Sequence, residues 1–175
     1  INDATNGTIT LADNAATFTG SAADLADAFS GGLAGTQTGA VTISDTSGTI
    51  AATTLTGITA QTSGAVSMAS GGPTIEGTAA EITAALVTSG TKITAASAKV
   101  TFTDNPTGAE LAAINPKTTG SITLADNAQT FSGSAVDLAA AFTGGLVGTQ
   151  TGAVTITGDN PTIAQLKTIN NATSG

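Results

Sequence analysis

Five aspartates stand where short β-branched runs end: Asp13, Asp45, Asp104, Asp126 and Asp159. Carboxylates at equivalent ends of stacked strands would lie near one another, and oxygen ligands of that kind suit a hydrated Ca2+ ion. These five are therefore the candidate metal ligands of the chain. The competing reading is that each side chain accepts backbone N–H groups at its own turn. The turn reading is preferred, because the dense acidic loops of calcium-binding repeats are missing and Ser70-Gly71-Gly72 interrupts the row. No other cofactor is expected.

A second chemistry is carried by hydroxyls spaced two apart: Thr8 and Thr10, Thr17 and Thr19, Thr42 and Ser44, Thr101 and Thr103, Thr155 and Thr157. On a strand such pairs share one face. Flat, regular threonine ladders are the device of ice-binding β-solenoids, and a hydroxyl face also suits polysaccharide. Two facts weigh against a lattice-matching surface: the segments carrying the pairs vary in length, and Thr favours strands for packing reasons alone. Asn6-Gly7-Thr8 and Asn171-Ala172-Thr173 match the glycan-acceptor pattern, a short match in a chain so rich in Thr.

Catalysis has little to draw on. The chain has no Cys, His, Trp, Tyr or Arg, and its only Lys are Lys92, Lys99, Lys117 and Lys167. No nucleophile–base pair is available, and Asp24, Asp137, Glu81 and Glu110 recur at positions that helix capping explains. The reading is not an enzyme. A net charge of −8 argues against nucleic acid, where cations must replace counterions along the phosphates. No apolar run is long enough to span a membrane, so insertion is not expected.

Those residues are held by a duplicated framework. Residues 8–39 return at 121–152 with 25 of 32 positions identical. A small-polar signal ending in glycine recurs at Gly7, Gly39, Gly64, Gly90, Gly120, Gly152 and Gly175. It divides the chain into coils 8–39, 40–64, 65–90, 91–120, 121–152 and 153–175, with 1–7 the end of a preceding coil. DNPTGAELAAIN at 104–115 recurs as DNPTIAQLKTIN at 159–170, and INDATNG at 1–7 matches INNATSG at 169–175 in five of seven positions. Self-similarity at this period marks stacked units that bury their apolar faces only against neighbours. With neither end worded as a polar cap, the expected source is a longer protein.

Within a coil, alternation predicts strands at 8–12, 40–44, 65–69, 121–125 and 153–157, and a second set around Phe18, Phe102 and Phe131. Ser21, Thr78, Thr107, Ser134 and Thr162, each with Asp, Glu or Gln three residues on, predict capped helices. Their apolar faces are Leu25, Phe29 and Leu33; Ile82 and Leu86; Leu111 and Ile114; Leu138, Phe142 and Leu146; Leu166 and Ile169. The segment 51–61 has a weak cap and Gly57 in its middle, and its helix is the least supported. The fold expected is a repeat solenoid: a parallel β-solenoid with short capped helices in most coils, a β-rich α/β solenoid. If it winds right-handedly at about 4.8 Å per coil, six coils span roughly 30 Å.

The wording TLADNAQTFSGSAVDLAAAF at 123–142, strand, turn and hydroxyl-capped helix in an Ala/Thr/Gly-rich text, resembles the degenerate repeats of giant secreted surface proteins of marine bacteria and cyanobacteria, including adhesins and S-layer-like proteins. The resemblance covers nearly the whole chain. It implies an extracellular or cell-surface location and a structural role in a filament, surface layer or adhesin stalk. The partner expected is the protein itself, end to end or laterally, with surface glycans as a further candidate. The alternative is a Thr-face module binding ice or polysaccharide.

Overall fold

A computed structural model describes residues 6–88, 93–95, 97–158 and 160–175. Along the chain run β1 (Phe18–Gly20), α1 (Ala22–Phe29), β2 (Val41–Ile43), β3 (Thr49–Ala51), α2 (Ala52–Gln61), β4 (Val66–Met68), β5 (Thr74–Gly77) and α3 (Ala79–Leu86). There follow β6 (Ile93–Thr94), β7 (Lys99–Phe102), α4 (Gly108–Ile114), β8 (Ile122–Thr123), β9 (Phe131–Gly133), α5 (Ala135–Phe142), β10 (Val154–Ile156) and α6 (Ile163–Ala172). The expected hydroxyl caps form. Ser21 and Ser134 accept the amides of Asp24 and Asp137, each at 3.1 Å. Thr78, Thr107 and Thr162 close full capping boxes with Glu81, Glu110 and Gln165. Each cap satisfies amides that the first helical turn leaves without an intrahelical partner.

Helix α2 forms without a side-chain cap, starting from Ala51. Its buried Ala52, Leu55 and Ile58 explain why: packing of an apolar face outweighs a poor start and an internal glycine. Elsewhere helices stop short. α5 ends at Phe142, and Gly144 follows at φ 128°, so Leu146 leaves the helix and bridges Ile122. Leu33 likewise bridges Ile9, and that bridge is all that forms of the strand expected at 8–12. Strands β3, β5 and β6 and a 3-10 turn at Asn115–Lys117 were not expected from alternation.

All strand pairs are parallel, in sheets ordered β1-β2-β4-β6, β3-β5-β7-β8 and β10-β9. The chain returns over itself after 23 residues from Phe18 to Val41, 25 from Val41 to Val66 and 27 from Val66 to Ile93. These steps are shorter than the 32-residue near-copies, which is why residue 33 already lies beside residue 9. Ile50, Ile75, Val100 and Ile122 form one inward column, each at most 5% exposed. Each helix packs on the next in chain order from α1 to α6. The result is an α/β fold with parallel sheets and six helices among the described residues, sharing one apolar cluster.

The boundary glycines have a steric reason. A methyl group at Gly39 would strike the carbonyl oxygen of Ala16, and one at Gly64 that of Gly39. In the second copy Gly152 lies against the carbonyl of Gln129, and Gly175 against that of Gly152. Backbone passes over backbone at these points, and only glycine leaves room. Gly90 lies outside the described residues.

The two near-copies reproduce one another's pairings. Ile9 with Leu33 matches Ile122 with Leu146, Phe18 with Val41 matches Phe131 with Val154, and Gln37 with Thr62 matches Gln150 with Thr173. Phe18 meets Phe29 edge to face at 5.4 Å, as Phe131 meets Phe142 at 5.2 Å.

Candidate interaction surfaces

The candidate aspartates divide into two kinds. Asp13 Oδ1 accepts the Ala15 amide at 2.8 Å and Asp126 Oδ1 the Ala128 amide at 2.7 Å, each closing its own turn. Asp45 and Asp104 instead reach a helix start one strand step back along the chain. Asp45 Oδ2 accepts the amide of Ala22, first residue of α1, and Asp104 Oδ1 that of Ala79, first residue of α3, both at 2.7 Å. A carboxylate there meets an orphan amide and the positive end of the helix dipole. The separations, 23 and 25 residues, equal the strand register step, a signal the sequence contained without the step being known. Among the described residues no three acidic groups gather where an ion would sit. Asp159 lies outside the described residues.

On the outer face of the first sheet, Thr19, Thr42, Ser67 and Thr94 stand in register, one per strand. Thr42 and Ser67 approach to 3.4 Å between hydroxyl oxygens. This column is a single file: continuing the register, Thr17 is followed by Ala40 and Ala65. In the last sheet Ser132 pairs with Thr155. Thr8 and Thr10 lie outside any strand. The hydroxyl ladder is thus one residue wide over four strands.

The near-copies act as an internal control for burial. Ile122, Leu124 and Phe131 are 0%, 6% and 2% exposed, whereas their counterparts Ile9, Leu11 and Phe18 are only half-buried. The difference is the neighbour: β7 lies on β8, while no preceding described coil lies on residues 9–18. At the other end Val41 and Ile43 are fully buried under β4, and their counterparts Val154 and Ile156 are half-buried. On α6, Ile163 and Leu166 are exposed. In these strand segments burial follows the neighbouring strand, whereas on the helices Leu25 and Phe29, each 4% exposed, are as buried as Leu138 and Phe142.

Gln37 and Gln150, passed over in the sequence, are interior groups. Both side chains are buried, with Nε2 donating weakly at 3.5 Å to the carbonyls of Gly35 and Gly148. Neither Oε1 has a partner among the described residues. Their shared TQTG wording in both copies was the available clue. A cleft of about 550 Å3 lies between the ends of α4 and α5, and the residues lining it carry no charge. Of the two glycan-acceptor asparagines, Asn6 and Asn171 are both exposed. No described helix is long and apolar enough to cross a membrane. Compared with known protein families, with characterised proteins and with solved structures, the chain matches none.

Proposed function

We propose that the chain is a structural module, a stretch of parallel β-solenoid with capped helices whose role is to extend and self-associate. It serves in an extracellular filament, surface layer or adhesin stalk. One observation carries this reading: in the strand segments, residues of the same wording are buried where a neighbouring strand lies on them and half-buried where none does. Each coil therefore depends on its neighbours for its core, and the faces left at the two ends suit further coils of the same kind. The extracellular setting follows from the resemblance of the repeat wording. No catalytic role is assigned: Asp13 and Asp126 close turns, and Asp24, Asp45, Glu81, Asp104, Glu110 and Asp137 serve helix starts.

The experiment is electron microscopy of the concentrated protein alongside thermal hysteresis and glycan-binding assays. Elongated end-joined particles with neither activity are expected. Isolated particles that depress the freezing point of ice, or bind a glycan at micromolar concentration, would overturn the structural reading. The second reading, a Thr-face binder, has the Thr19–Thr42–Ser67–Thr94 column in its favour. The narrowness of that column makes it the lesser reading.

A further inference from the structure

At four of the boundary glycines the residue two positions earlier is polar and buried: Gln37, Thr62, Thr118 and Gln150. Threonine and glutamine fill that position differently. Thr62 Oγ1 accepts the Gly64 amide at 2.9 Å and donates to the carbonyls of Gln37 and Gly39. Thr118 Oγ1 likewise accepts the Gly120 amide at 2.9 Å and donates to the Ala98 carbonyl. The threonines are answered by the chain itself. Gln37 and Gln150, 1% and 0% exposed, carry an Oε1 that meets no donor among the described residues.

A buried acceptor without a donor costs the desolvation of its oxygen, so such atoms nearly always have a partner, either protein or ordered water. Gln37 has a second such acceptor beside it. The Asn14 carbonyl takes the amides of Thr38 and Gly39 at 2.7 and 3.4 Å, which sets Asn14 against Gln37, and Asn14 Oδ1 is also buried without a donor among the described residues. The near-copy shows that these two carboxamides face one another, since Gln150 Nε2 reaches Asn127 Oδ1 at 3.3 Å. It also fixes which way the asparagine points. Asn127 Nδ2 donates to the Val147 carbonyl at 3.4 Å and lies against Gly148, as Asn14 Nδ2 lies against Gly35, so the oxygen is the end turned to the glutamine.

We propose that Asn14 Oδ1 and Gln37 Oε1 bind one buried water molecule between them, each oxygen accepting one of its two O–H groups. Two neutral acceptors in an interior setting call for a small neutral double donor. A cation does not fit, because a buried charge needs a paired carboxylate, and Asp13 beside the site is exposed with Oδ1 on the Ala15 amide. The second near-copy is not an equal site. Asn127 Oδ1 already receives Gln150, and one open acceptor is too few to hold a water firmly. Gln37 also donates its backbone amide to the Gln61 carbonyl at 3.2 Å and accepts the Ser63 amide at 2.7 Å. The water therefore joins the turn at Asn14 to the bridge between Gln37 and Thr62, across three passes of the chain. This inference does not depend on how copies of the chain assemble.

Diffraction from crystals of the full chain tests it, with nuclear Overhauser transfer from a long-lived water to the Asn14 side-chain amide in solution. Density for a water within hydrogen-bond reach of both oxygens is expected, with transfer that is lost in Gln37→Met and kept in Gln150→Met. Methionine keeps the length of glutamine and removes its acceptor. A direct hydrogen bond between Asn14 and Gln37, an empty gap between the two oxygens, or transfer that survives Gln37→Met overturns the site. Density that takes up rubidium from a soak marks a cation and overturns it as well. Circular dichroism melts check that both variants fold; if Gln37→Met does not, the wild-type density decides alone.

Discussion

At the residue scale, the chain contains its own controls. Leu111 and Leu166 occupy aligned positions in α4 and α6, one fully buried and one 43% exposed. Leu111→Ala should cost about 2–5 kcal/mol in a denaturant titration, because it removes transfer energy and leaves a cavity. Leu166→Ala should cost under about 1 kcal/mol in the monomer, since little burial is lost. Equal costs would mean that neighbouring coils do not supply the core. The aspartates divide in the same way. Asp104→Ala should cost about 1–2 kcal/mol by removing a charge-assisted bond to the α3 amide, and Asp13→Ala less, since its turn is local and open to water. Urea midpoints at constant slope measure both.

At the scale of elements, capping chemistry was readable and strand extent was not. Serine or threonine followed three residues later by Asp, Glu or Gln located five helix starts, because the hydroxyl and the N3 amide meet through local geometry alone. Helix α2 lacks that chemistry and forms through burial of Leu55 and Ile58. Gly57 sits in its middle, and a methyl group added there would meet nothing within 4 Å. Gly57→Ala should therefore raise stability by about 0.5–1 kcal/mol, read as a higher thermal midpoint. A lower midpoint would show that the glycine serves packing against α1. Strands β3, β5 and β6 escaped notice because Ile50, Ile75 and Ile93 each stand without a second large apolar residue two positions away.

At the scale of the whole molecule, three parallel sheets and a single apolar cluster join the elements to one another. Unfolding should consequently propagate from the ends, and hydrogen exchange should be slowest at Ile75 and Val100 and fastest at β10 and α6. Uniform exchange along the chain would contradict neighbour-dependent stability. The aspartates bear on ion dependence at this scale too. With Asp13 and Asp126 closing turns and Asp45 and Asp104 capping helices, melting midpoints in calcium and in a chelator should coincide. A marked rise with calcium would restore them as ligands.

The amino-acid sequence alone determined the duplicated framework, the capped helix starts and the inward choice of Phe131 and Leu138, because each depends on chemistry within a few residues. It also marked the glycines where segments close, though not what they approach. Only the tertiary structure decided that Asp45 meets Ala22, that Leu33 pairs with Ile9 rather than extending α1, and that Gly64 rides on Gly39. Those outcomes depend on the number of residues per return, which sums every helix stop and loop along the way. A sum of that kind has no local signature, and a shift of one residue in it changes every partner across the parallel sheets.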